Sequence, residues 1–369
     1  MQINTDKPYK IFAEVLEQGA IDQFESAMQQ PFTVKGALMP DAHQGYTLPI
    51  GAVIATEGVI LPSWVGYDIG CGMCALPTSY DVSDIKENAK KIFDSIYRSI
   101  PVGFNHNQKA MVWDISNLAR SEKMQAIFDR NGLKQLGSLG GGNHFIEIGA
   151  DETNKVWIII HSGSRGIGHA TASHYMKLAS GTEKAMEGHF GFDVKSYNGS
   201  DYIDDLNFCL QFALENRKEM MRRIEKEISH YCKGDAVWDE LINRNHNHAE
   251  LKDNLWVHRK GATHAEDGMM GVIPGNMRDG SFIVRGKGNP DALWSSSHGA
   301  GRVLGRKEAQ RVLNLESFTE TMNGVVAKVD KDTLDESPEA YKNIFDVMEL
   351  QSELVDIVAH VKPIINIKG

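Results

Sequence analysis

Residues 156–169 read "VWIIIHSGSRGIGH". Five apolar residues, rich in β-branched side chains, end on His161 and run into a glycine-rich stretch. A run this short, bounded by glycine, predicts a buried strand. It is typical of the longest apolar runs in the chain and far below the roughly 20 residues that span a membrane. A strand fixes its last side chain, and a permissive loop beyond it lets something approach. His161 therefore stands where sites are usually built.

The same pattern recurs outward from there. "GGGNHFIEI" (140–148) sets His144 between a glycine turn and a predicted strand at 145–148. "GAVIAT" (51–56) and "SFIVRG" (281–286) also predict strands. Residues 84–98 carry Ile85, Ala89, Ile92 and Ile96 at helical spacing behind a Ser83 cap. Residues 203–231 predict a long helix with Leu206, Leu210, Leu214, Met221, Ile224 and Ile228 along one face. Short strands alternating irregularly with helices predict an α+β (mixed α/β) fold. No repeat, low-complexity tract or linker divides the chain, so residues 1–369 read as a single domain.

"GYDIGCGM" (66–73) places Asp68 and Cys71 three positions apart among glycines, "NRNHNHAE" (243–250) offers His246 and His248, and "SSSHGAGR" (295–302) places His298 beside Gly299 and Gly301. Alone, a strand-end histidine is more often a hydrogen-bonded structural residue, and a lone cysteine a small buried apolar one. Together Asp68, Cys71, His144, His161 and His246 are five donors of the types that hold one or two divalent cations. They are spread from position 68 to 246, so the fold would have to bring them together. "HSGSRG" and "HGAGR" each set an arginine four positions after a histidine, Arg165 and Arg302, among small residues. Bare amides plus guanidinium suit phosphate, whereas the bland reading is two tight turns.

Composition narrows the class. The 369 residues are 41% hydrophobic and 24% charged, which is ordinary for a soluble globular protein. Four cysteines (71, 74, 209 and 232) are too few for a disulfide scaffold and suit a reducing cytoplasm, and the polar N-terminus lacks a signal-peptide core. A net charge of −10 argues against broad nucleic-acid binding but leaves room for a local basic groove, with Arg165, Arg285, Lys287 and Arg302 as its candidates.

Taken in order, "MPDAHQG" (39–45), "GYDIGCGM", "GGGNHFIE", "HSGSRGIGH", "PGNM" (274–277), "SSSHGAGR" and the terminal "KG" resemble the RtcB family of RNA ligases along nearly the whole chain. The resemblance implies an enzyme that joins RNA 2′,3′-cyclic phosphate or 3′-phosphate ends to 5′-hydroxyl ends, using GTP and two Mn2+ ions, in tRNA splicing or RNA repair. It implies that Asp68, Cys71 and His144 hold one metal and Cys71, His161 and His246 the other, with the thiolate bridging. His298 matches the histidine that becomes guanylylated, with Arg302 and Arg165 beside the phosphates. Asn143, His144, Phe145, Ile146, Glu147, His246, Asn247, Pro274, Gly275, Asn276, Met277, Ser281, Gly299, Ala300, Gly301 and Lys368 match the nucleotide-contacting positions. An activating protein partner and a monomer or weak dimer are the expected associations.

By ligand chemistry alone, a thiolate with imidazoles suits zinc better than manganese. Tyr67 stands where many relatives carry valine, "QGYTLPIG" (44–51) departs from the commoner pattern, and the chain is shorter than many members. These departures point to a divergent branch. Two other readings compete with ligation: a metal phosphodiesterase that only opens the cyclic phosphate, and a non-catalytic RNA-binding subunit. Neither explains why His298 and Lys368 are both in place.

Overall fold

In the computed structural model, which describes residues 2–369, the chain is α+β and is organised around two sheets. The larger has eight strands. Seven run in the order Met270–Pro274, Ser281–Gly286, Val355–Lys368, Phe145–Ala150, Val156–Ser162, Gly72–Pro77 and Ile242–Asn245, every neighbouring pair antiparallel. The eighth, Val326–Ala327, pairs in parallel with Val355–Lys368. The sheet curls, so its first strand packs back against Gly72–Pro77 and Ile242–Asn245 at the other end. The smaller sheet orders Tyr9–Ile11, Thr33–His43, Ile50–Thr56, Leu255–Lys260 and Asn247–Lys252.

The apolar run 156–160 lies in the strand Val156–Ser162, buried along its length. Ile158 and Ile160 enter the core with Cys74, Ile146 and the helices, while Trp157 and Ile159 enter a second cluster with Phe145, Val272 and Ile283. Side chains of a strand alternate between faces, so a strand covered on both sides reads as an unbroken apolar run. At roughly 25 cal/mol per Å² of apolar surface, each fully buried isoleucine contributes on the order of 2 kcal/mol.

One face of this sheet carries the helices Val82–Ser99 and Tyr197–Ser229. Ile85, Ala89, Ile92 and Ile96 bury as the spacing predicts, but the cap is Asp81, whose carboxylate accepts the Ser83 amide at 2.7 Å. The long helix starts six residues before the expected position, capped by Ser196. Its first turn, "YNGS", is poor in helix formers; Gly199 is required there because a Cβ would fall 2.1 Å from the Asp193 carbonyl oxygen. A third helix, Arg165–Ser180, replaces the turn expected after His161. Glycines 166 and 168 hide it from propensity, and tertiary packing overrides them.

Candidate active site

The five scattered donors meet because of strand order. His144 precedes the strand Phe145–Ala150, His161 is next to last in Val156–Ser162, Cys71 precedes Gly72–Pro77, and His246 follows Ile242–Asn245. These are four consecutive strands, and antiparallel pairing brings those particular ends to one edge: His161 lies opposite Met73 and Phe145, and Gly72 opposite Ser162 and Asn245. Asp68 comes from the loop before Cys71. Gly70 there takes φ 72°, and the loop presses so close to Gly163 that a Cβ on it would fall 2.5 Å from Asp68 Oδ1. The glycines around "GYDIGCGM" thus let a carboxylate and a thiol approach neighbouring backbone.

His161 Nδ1 is 3.1 Å from the Asn143 carbonyl oxygen. A carbonyl only accepts, so Nδ1 carries the proton and Nε2 presents a lone pair. That lone pair faces Cys71 Sγ at 3.2 Å and His246 Nε2 at 3.2 Å. Cys71 Sγ is 3.3 Å from His144 Nε2, which is 3.1 Å from Asp68 Oδ2. Burial, then neighbouring histidines, hold His161 and His246 well below the usual imidazole range, so both are neutral and could serve as ligands. Burial and the Asp68 carboxylate push the Cys71 thiol well up, which a bound cation reverses. Burial would also raise Asp68, but His144 and Cys71 outweigh it and bring the carboxyl down to about 2. Converging lone pairs, a thiol and an ionised carboxylate fit a divalent metal.

A second donor group, His248, Glu250 and His264, differs. The Arg259 guanidinium donates to His248 Nε2 at 3.1 Å and to Glu250 at 2.5 Å, so a side-chain cation already fills it.

His298 follows the short strand Ser295–Ser297, which pairs with Ala262–His264. Its ring lies 4.9 Å from that of His246. Asp41 Oδ2 sits 2.6 Å from His298 Nδ1 and also accepts the backbone N–H of His298 (3.1 Å) and of Gly299 (3.2 Å). Asp41 is fully buried; burial would raise its carboxyl, but His298 outweighs this and holds it below the usual range. An ionised Asp41 beside Nδ1 favours the tautomer protonated there, which leaves the Nε2 lone pair open. Asp41, inside "MPDAHQG", has no role assigned from sequence alone. Its signal was a carboxylate inside an apolar strand, which demands a partner.

Two cavities flank His298. The larger, about 650 Å³, is lined by Asp68, Cys71, His246, Asn247, Tyr67, Glu187 and Lys260 among others. The smaller, about 220 Å³, is lined by Asn143, Phe145, Pro274, Gly275, Asn276, Met277, Ser281, Gly299, Ala300, Gly301 and Lys368, all expected, and by Arg306, Tyr341 and Asn366, which were not. Ile146 points instead into the helix-covered core. Glu147 is buried beside Asn366 and Lys368; burial outweighs its contacts with Ser281, Lys368 and Asn366 and pushes its carboxyl up to about 8.

The expected basic groove does not form from the four cations named for it. Arg302 borders both cavities, but its guanidinium donates to Leu304 O, Asp335 O, Glu336 and the Tyr341 hydroxyl. Arg165 opens on a separate cavity of about 430 Å³ with Asp68, His144, His106 and His169. Arg285 and Lys287 lie on the far strand Ser281–Gly286 and just beyond it, Lys287 paired with Asp356. The charge centre missed from sequence is Glu336. Buried at 2% exposure, it takes Lys368 at 2.7 Å, Arg306 at 2.6 Å, Arg302 at 3.2 Å and the Tyr341 hydroxyl at 2.6 Å. Burial would raise it, yet these cations bring it down to about 2.

Comparison with known proteins gives one family. The family model described as tRNA-splicing ligase RtcB matches residues 23–127 and 112–369. The RNA-splicing ligase RtcB of Escherichia coli K12 is 35% identical over 387 aligned residues, covering 96% of this chain and 95% of that protein. The tRNA-splicing ligase RtcB of Nanoarchaeum equitans is 28% identical, covering 98% and 94%. The RNA-splicing ligase RtcB homolog 1 of Entamoeba dispar is 27% identical, covering 95% and 82%.

Proposed function

Because the chain belongs to the RtcB family, we propose that it is an RNA ligase sealing 3′-phosphate or 2′,3′-cyclic phosphate ends to 5′-hydroxyl ends through a histidine–GMP intermediate formed from GTP. The observation that carries this reading is the His298 imidazole. Its Nδ1 lies 2.6 Å from Asp41 Oδ2, and it stands between the donor cluster and a cavity lined by positions that match the nucleotide-contacting ones of the family.

His298 Nε2 attacks the α-phosphorus of GTP, an N–P bond forms, the bond to the β-phosphate oxygen breaks, and pyrophosphate leaves. Asp41 stabilises the positive charge that develops on the ring. A cyclic end is first opened by water to a 3′-phosphate. An oxygen of that phosphate then attacks the GMP phosphorus, the N–P bond breaks, and the neutral imidazole is restored. The 5′-hydroxyl attacks the activated 3′-phosphate, and GMP departs. Two Mn2+ ions, one held by Asp68, Cys71 and His144 and one by Cys71, His161 and His246, would supply charge neutralisation on the polyphosphate. The Gly299–Gly301 backbone admits phosphate close to the ring, and Ser281, Asn366 and Lys368 line the end of the smaller cavity where a base would sit, with Glu147 buried behind Asn366. The larger cavity, bordered by Lys260 and Glu187, is left for RNA. The expected setting is the cytoplasm, on tRNA halves or damaged RNA.

Incubation with GTP labelled at the α-phosphate tests the reading. The wild-type chain should take a covalent label and His298→Ala none, while RNA already carrying a guanylylated 3′-phosphate should still be sealed by the alanine variant. Label on the alanine variant would place the nucleophile elsewhere.

A further inference from the structure

The long helix Tyr197–Ser229 places one arginine against the underside of the donor cluster. Arg217 is fully buried and makes no ion pair with any carboxylate among the described residues. Its Nε donates to Asn243 Oδ1 at 2.7 Å, Nη1 to the carbonyls of Gly70 (2.9 Å) and Ser162 (2.7 Å), and Nη2 to Asn245 Oδ1 at 2.7 Å. Three of these acceptors belong to residues directly next to candidate ligands: Gly70 precedes Cys71, Ser162 follows His161, and Asn245 precedes His246.

Strand pairing does not need this link. The ladder already aligns the three strands, and filling the same volume with methionine would avoid burying a charge, which is costly without a partner. Past the strand ends, Cys71 and His246 are joined by a single backbone bond, His246 N–H to the Cys71 carbonyl at 2.7 Å, and the arginine braces the residues on either side of it. A planar fork with five N–H groups can reach all four acceptors at once; a lysine ammonium has three donors and no plane. Asn216, one residue earlier, ties the adjoining loops in the same manner, accepting the Gly137 amide at 2.7 Å and donating to Gly163 O at 3.1 Å.

We propose that Arg217 is a positioning residue that fixes Cys71, His161 and His246 in the geometry a pair of divalent cations requires. The inference rests on the metal reading above. Residues that orient metal ligands typically change affinity about 10–100-fold when replaced.

Cobalt(II) titration of metal-free protein provides the test, because thiolate and imidazole ligation gives near-ultraviolet charge-transfer and visible bands independent of ligation activity. Wild type should show the thiolate band. Arg217→Lys should weaken cobalt binding roughly 10–100-fold and diminish the band, while its metal-free melting temperature stays near wild type. Asn245→Ala, which keeps the arginine and removes only the arm beside His246, should weaken one cobalt equivalent more than the other. Wild-type cobalt affinity and spectrum in Arg217→Lys would overturn the proposal. So would losses in Arg217→Lys that only follow its melting temperature while Asn245→Ala binds normally. A wild-type chain without any thiolate band would overturn the metal reading itself.

Discussion

Along the strand edge, Cys71, His144, His161 and His246 take their places from backbone pairing; around the smaller cavity, Arg302, Arg306, Lys368 and Tyr341 gather on the Glu336 carboxylate, with Asp335 adding a second hold on Arg306 at 2.8 Å. The first region is held by a ladder of hydrogen bonds that survives the loss of any one donor side chain. The second is a cluster of like charges that repel one another unless the anion is there. The two regions should therefore fail differently: donors should be lost one by one with the fold intact, whereas the cation cluster should lose stability when its centre is removed.

The largest effect expected on this contrast is at Cys71. Cys71→Ala should reduce sealing to background while leaving the melting temperature within a few degrees of wild type. Cys74→Ala should retain most activity and lose about 1–2 kcal/mol of stability, because Cys74 packs in the core rather than in the cluster. Equal loss of activity in two well-folded variants would break the assignment. Next comes Asp41→Asn, which keeps the shape but lets the amide donate to Nδ1 and favours the wrong tautomer. Guanylylation should fall on the order of 10²–10⁴-fold, by analogy with other carboxylate–histidine pairs. A tenfold effect or less, read by the rate of label uptake, would show that the backbone of Gly299 and its neighbours orients the ring unaided.

Glu336→Gln should cost roughly 3–5 kcal/mol, the usual penalty for removing one partner from a buried charged set. Urea denaturation measures it; stability equal to wild type would erase the contrast between the two regions. The smallest effect is a pH dependence at Glu147. Its folded carboxyl titrates at about 8 against an ordinary value of 4.5, so between these values it is protonated when folded and ionised when unfolded. Its contribution is complete below pH 4.5 and is lost as pH rises through 8. Glu147→Gln should therefore match wild type in melting temperature near pH 4.5 and exceed it by a few degrees at pH 8. A constant difference across that range would mean the carboxyl is not held protonated.

What the sequence disclosed follows the range of the forces involved. The strand 156–160 and the apolar stripe of Ile85, Ala89, Ile92 and Ile96 depend on local periodicity and were legible. So were the donor types at strand ends, and the alternation in "IINIKG" that sends Ile365 and Ile367 to the core also turns Asn366 and Lys368 the other way. The pairing order that makes Phe145, His161, Gly72 and Asn245 neighbours is nonlocal and left no trace in spacing. Asp41 and His298 are joined across 257 positions, and Glu336 gathers cations from the 302–306 segment and from the terminal Lys368. Glu336 sits in "LDESPEAY", a stretch that looks like any acidic surface turn. Even the Asp81 cap was misplaced by two residues, because Ser83 is an equally good cap by type.

His246 occupies a single position between Ile242–Asn245 of the larger sheet and Asn247–Lys252 of the smaller. The chain thus crosses from one sheet to the other with no slack, and it does so on a residue that touches both the donor cluster and the His298 ring. One residue inserted or deleted here would flip every side chain of a strand to the opposite face. Length is consequently constrained at this crossing more tightly than in the surface loops. A chain of this kind can shorten at its periphery and keep its chemistry, provided the seam through position 246 keeps its count.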